Sequence, residues 1–93
     1  MRLTFDPAKR TATLEERGLD FADAPEVFAG TVIDIPDRRV NYGENRVITI
    51  GFLRARMVVV VWTSVGEDAR RIISMRKAND REQRRFGERL RQD

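Results

Sequence analysis

A single α+β domain is predicted for this chain, and three observations predict it. Helix signals open and close the sequence, and the segments between Thr31 and Ala78 read as successive strands. Val58 to Val61 is apolar on both faces, as a central strand covered on both sides would be. The run Asn79-Asp80-Arg81-Glu82 then resembles a capping box that starts a last helix. Its 93 residues fit one domain, 1–93, since domains typically run about 100–150 residues. With 41% hydrophobic and 35% charged residues, the composition suits a folded and highly charged domain rather than a disordered one.

Taken in order, residues 2–5 make a short first strand. Asp6-Pro7 is an N-cap followed by proline at the first helical position, where its missing N–H costs nothing. That helix is predicted to run to Arg17 and stop at Gly18. Its few apolar residues (Ala8, Ala12, Leu14) place it on the surface. Asp20 caps a second helix, Phe21 to Ala29, with Phe21, Ala24, Val27 and Phe28 on the packing side. Pro25 sits badly in it and should kink or tighten its first turn. Strands are then predicted at Thr31–Ile35, Asn45–Phe52, Met57–Thr63 and Ala69–Ala78. Between the first two lies a polar loop, Asp37 to Glu44, and Leu53 to Arg56 forms a tight basic turn. The last helix ends near Leu90, with Phe86 and Leu90 as its apolar stripe. The order β-α-α-β-β-β-β-α implies an antiparallel four- to five-stranded sheet with two helices before it and one after.

Composition excludes several chemistries. No cysteine is present, so disulfides and thiolate catalysis are ruled out; no histidine is present, so the commonest general base is missing. No metal site or cofactor is expected. Met1 to Asp6 lacks the apolar run of a signal peptide, and no stretch approaches the ~20 apolar residues of a membrane span, so the expected location is the cytoplasm. Of the 18 cations only Lys9 and Lys77 are lysines, leaving sixteen arginines. Their planar donor forks suit phosphates and carboxylates.

The stretch Ala69 to Ala78 concentrates this chemistry. In a regular strand Arg70, Ile72, Ser74 and Arg76 face one way, and Arg71, Ile73, Met75 and Lys77 the other. Arg71 and Arg76 can then line one site only if a bulge or the strand end intervenes. Arg76, at the strand-to-helix junction with Ser74 on its face, is the stronger candidate.

Several segments together resemble the BrnT family, toxins of bacterial type II toxin–antitoxin pairs. They are Phe5-Asp6 with Lys9, Gly18-Leu19-Asp20-Phe21 leading to Glu26-Val27-Phe28, and Asp37 followed by Glu44-x-Arg46 and Gly51. The valine strand closing on Thr63 follows, and then Arg71-Ile72-Ile73-Ser74-x-Arg76-x-Ala78 with Glu82. The resemblance implies a RelE-like fold and a ribonuclease that cuts RNA and arrests growth. It also implies neutralisation by a BrnA-type ribbon-helix-helix antitoxin, whose complex with the toxin binds operator DNA through the antitoxin. Where the family often carries histidine, tryptophan and tyrosine, this chain has Arg17, Phe5 and Phe86.

Cleavage by the substrate's own 2′-OH needs a base, cations for the transition state and a donor for the leaving oxygen. The candidates are Glu44 as base, Lys77 or an arginine as donor, and Arg46, Arg71 and Arg76 as phosphate clamps, with Ser74 and Thr63 as further RNA contacts. Arginine is a poor proton donor and is better assigned to charge stabilisation. Each candidate has a structural alternative: Glu44 and Arg46 can pair with each other, Ser74 can fill a tight packing position, and Trp62 can be core rather than a base-stacking platform. Arg81, Arg84, Arg85 and Arg89 read as a solvated face balanced by Glu82 and Glu88, or as a surface for an acidic antitoxin segment. The alternative function is a non-catalytic basic module that docks an acidic partner or nucleic acid.

Overall fold

The computed structural model describes residues 1–91. β1 (Arg2–Phe5) leads into α1 (Pro7–Arg17), followed by a 3₁₀ turn (Phe21–Asp23) and α2 (Ala24–Phe28). Then come β2 (Ile33–Asp37), β3 (Arg46–Leu53), β4 (Arg56–Val65), β5 (Ala69–Lys77) and α3 (Asp80–Arg91).

The helix caps act as their sequences dictate. Asp6 accepts the Ala8 N–H at 2.9 Å, and Gly18 ends α1 in the left-handed region (φ 68°) while donating to Leu14. No residue of α1 is buried. The second predicted helix is divided. Asp20 accepts the Ala22 N–H, a 3₁₀ turn runs through Asp23, and α2 restarts with Pro25 in its first turn. The restart removes the conflict at Pro25, because a first-turn proline needs no intrahelical partner.

The strands line up as β1-β5-β4-β3-β2. β2 to β5 are antiparallel neighbours, but β1 joins β5 in parallel, so the sheet is mixed and β5 is an interior strand. No short turn links β1 to β5, and nothing in the connection forces them antiparallel. β2 starts two residues later than predicted and carries Pro36 within it. An edge strand tolerates proline because its outward N–H has no ladder partner to lose.

One face of the sheet is sealed by the helices preceding it. Leu19, Phe21, Ala24 and Val27 pack on Val58, Val60, Ile72 and Met75, all nearly or fully buried. α2 lies so close to β3 that a Cβ on Gly51 would stand 3.0 Å from side-chain carbons of Val27 and Val32. Trp62 belongs to this core; its indole N–H donates to Thr49 (2.7 Å), whose hydroxyl donates to Asp34 (2.6 Å). The other face carries α3, which buries Phe86 and Leu90 against Ile50, Met57 and Val59.

Candidate active site

The site begins with a miscount in a ladder. In the β4–β5 pairing Val61 opposes Ser74 and Trp62 opposes Ile72, which leaves Ile73 as an extra residue. Such a bulge reverses the facing of everything beyond it. Arg71 pairs with Thr63, and Arg76 with Val59. Thr63 and Val59 are four apart on β4 and share a face, so Arg71, Ser74 and Arg76 all lie on the α3 side. Arg46 pairs with Thr63 from β3 and completes a row of Arg46, Thr63 and Arg71 across three strands.

Beside this row stands Glu44. Arg71 donates to both of its carboxylate oxygens, at 2.9 and 3.0 Å, and Arg46 donates through Nε at 3.2 Å. The Arg46 guanidinium stacks over Tyr42, 3.9 Å from the ring centre. Thr63 is buried and its hydroxyl donates to the Asn45 carbonyl at 2.7 Å, anchoring the end of the 38–45 loop.

Arg76 is held by a second carboxylate. Its two terminal nitrogens each donate to one oxygen of Glu82, both at 2.8 Å. Glu82 is also the third helical residue of the predicted capping box: its Oε1 accepts the Asn79 N–H (2.9 Å), while Asn79 accepts the Glu82 N–H (2.8 Å). These bonds hold the Glu82 carboxyl below its ordinary pKa and Arg76 above its own, against a smaller opposing push on Arg76 from the charge of Arg39.

Between β2, β3 and the first turns of α3 lies a cleft of 430 Å³. Ile35, Ile48 and Val61 form its apolar floor. Arg39, Arg76, Arg81 and Arg85 stand around it, with Ser74 beside Arg76. Arg39 is fixed by Asp37, whose side chain is fully buried and accepts from the guanidinium at 2.7 and 2.8 Å. That pairing lowers the Asp37 pKa to about 2.

Six of the seven predicted site residues are thus on one side of the sheet. Lys77 is the exception. It pairs with Val58, faces the opposite way from Arg76, and lines a separate 520 Å³ depression with Gly18, Leu19 and Arg54. The bulge that gathers Arg71 and Arg76 leaves Lys77 on the far face, so it does not stand beside Arg76 in the cleft. Arg39 is not among the residues that the sequence singles out, although Asp37-Arg38-Arg39 at the end of β2 is a local signal for a fixed cation. Arg81 and Arg85 are exposed, in keeping with the solvated face read from the sequence, and they also border the cleft. Trp62 is core, and the guanidinium of Arg70, rather than a base, stacks on it at 4.0 Å. The three residues that depart from the family's usual types have structural contacts. Arg17 donates to the Met75 carbonyl (2.9 Å), Phe5 packs edge-on against Phe21, and Phe86 is buried under α3.

A five-stranded mixed sheet, sealed on one face and bearing an arginine-lined cleft on the other, defines a small basic α+β protein. The family model of the ribonuclease toxin BrnT, of type II toxin–antitoxin systems, matches residues 5–82, and the chain belongs to that family. The crystal structure of the Brucella abortus ribonuclease toxin BrnT is similar, with a TM-score of 0.70 at 30% sequence identity, covering 86% of this chain and 99% of that one. No curated protein matches the chain.

Proposed function

We propose that this protein is an endoribonuclease toxin that cuts RNA by attack of the substrate's 2′-OH on the adjacent phosphate, without a metal. The observation that carries this reading is the convergence of Arg46, Arg71 and Arg76 on one face of a BrnT-family chain. Guanidinium groups along one face supply the charge stabilisation that the pentavalent transition state needs. Ser74 adds a hydroxyl for a phosphate oxygen, and Thr63 contributes by holding the loop that carries Glu44.

Glu44 is the base. Its oxygens are engaged by Arg71 and Arg46, so an arriving phosphate that takes those donors releases the carboxylate to accept the 2′-OH proton. Lys77, on the far face, is left out of the reaction. The leaving 5′-oxygen is met by a guanidinium charge and takes its proton from water. The metal-free reading is supported by the donor set: the chain has no histidine or cysteine, and no metal-holding group of acidic side chains occurs among the described residues.

The toxin acts in the cytoplasm, where its RNA is. Its antitoxin is a BrnA-type ribbon-helix-helix protein that attaches the complex to operator DNA and lays an acidic segment over the arginines of α3. A second reading, a non-catalytic module docking an acidic partner, is favoured by one fact: Arg39, Arg71 and Arg76 each already hold a carboxylate of their own chain.

Expression of the chain alone separates the two. The nuclease reading expects growth arrest, RNA cleavage by purified protein that persists in EDTA, and relief of both by Arg76→Ala with an unchanged circular dichroism spectrum. Harmless expression, with RNA left whole, leaves the docking module as the better account.

A further inference from the structure

We propose that the cleft under the first turns of α3 is a one-nucleotide subsite, and that Glu82 occupies its phosphate position until RNA arrives. The proposal rests on the ribonuclease reading and adds to it the place where the nucleotide carrying the scissile phosphate is gripped.

The geometry has two parts. Glu82 presents two oxygens to the Arg76 fork at 2.8 Å each, the same planar two-point match that a phosphate offers. Arg76 is nevertheless 42% exposed in its side chain, so the fork is reachable from solvent. Next to the fork, Ile35 and Ile48 remain partly uncovered because α3 spans only one half of the sheet face. A 430 Å³ cleft is of ligand-pocket size. Its apolar floor suits the flat face of a base, and the guanidinium planes of Arg39, Arg81 and Arg85 suit stacking and the polar base edge. An extended nucleotide needs an apolar plane beside a cation fork, and this cleft supplies both.

Glu82 has a second task that makes the exchange gentle. Through Oε1 it caps the Asn79 N–H, so when a phosphate takes Arg76 the carboxylate is left with a hydrogen-bond partner and α3 keeps its start. Glutamine fulfils the capping role equally, because a capping box accepts Glu or Gln at this position. It cannot compete for Arg76 as an anion. Glu82→Gln therefore separates the cap from the competitor.

The test measures binding of an uncleavable 2′-O-methyl RNA oligonucleotide by fluorescence anisotropy across a salt series, with thermal unfolding as a check on the fold. Glu82→Gln is expected to melt within a few degrees of wild type and to bind several-fold more tightly. Its salt dependence should steepen by roughly 0.7 in log–log slope, the charge of one single-strand phosphate that Arg76 neutralises without releasing a carboxylate in exchange. Ile35→Thr, which keeps a β-branched residue on the edge strand, should alter the ranking of the four homopolymer oligonucleotides and leave the slope unchanged. A folded Glu82→Gln that binds no more tightly, with the same slope, overturns the phosphate half. An unchanged ranking in Ile35→Thr overturns the base half and assigns the floor to a protein partner. If wild type binds the oligonucleotide as expected but never cleaves ordinary RNA, the nuclease reading fails while the subsite stands.

Discussion

The two faces of the sheet are built by opposite rules. On the α1–α2 side the helices seal a dry core in which Phe21, Ala24, Val27, Val58 and Val60 have no exposure at all. On the α3 side a single helix covers half the face, and the other half carries ion pairs between Glu44, Glu82, Asp37 and the arginines they hold. Burial on the first face supplies stability, since each fully buried large side chain contributes roughly 1.5–3 kcal/mol. The more exposed pairs on the second, those of Glu44 and Glu82, contribute little, roughly 0–1 kcal/mol each. One face keeps the protein folded, and the other can exchange its partners at small cost.

That division sets the expected size of each perturbation. Phe21→Ala strikes the sealed face and should cost about 3–5 kcal/mol in denaturant unfolding, enough to threaten folding outright. Arg76→Ala strikes the open face and should do the reverse. RNA cleavage is expected to fall on the order of 10²-fold or more, the usual loss for one transition-state donor, while the melting curve moves little. An Arg76→Ala variant that unfolds would break the comparison.

Smaller effects sharpen it. Thr49→Val leaves the Trp62 indole N–H without its acceptor inside the sealed face, and should cost about 1–3 kcal/mol with activity intact. Asn79→Ala removes the cap of α3 at about 1 kcal/mol. The pH response is the mildest. Asp37 has its pKa lowered from 3.8 to about 2 by Arg39, so its stabilising contribution is complete above about 4. It fades as pH falls from 3.8 toward 2. Asp37→Asn should flatten that part of the stability–pH curve, measured by urea midpoints, and lower stability at neutral pH, where the contribution of the ionised Asp37 is complete.

Most of the sealed face was legible in the sequence. Pro7 and Gly18 mark the ends of α1, and the two-sided valine run marks β4 as central. Asn79 with Glu82 marks the start of α3. The second helix was less so, because Pro25 signals a defect without saying whether the chain kinks or restarts. The parallel pairing of β1 is a long-range choice that no local residue records. The site was legible as a set of residue types but not as a geometry. Glu44, Arg46, Arg71, Ser74 and Arg76 do share a face, yet strict alternation separates Arg71 from Arg76. Lys77 looked adjacent to Arg76 because it follows it in sequence, and adjacency along a strand means opposition across it.

Ile73 has a consequence of its own. The extra residue acts as a half-period phase shift in β5, so the active face depends on a count of residues as well as on their kinds. Any single substitution in β5 leaves that count intact. If Ile73 were instead drawn into the ladder and the bulge lost, alternation would turn either Arg71 or Arg76 away from the α3 face, with every arginine still present. For this fold, the bulge in β5 is as much a determinant of chemistry as the strand's composition.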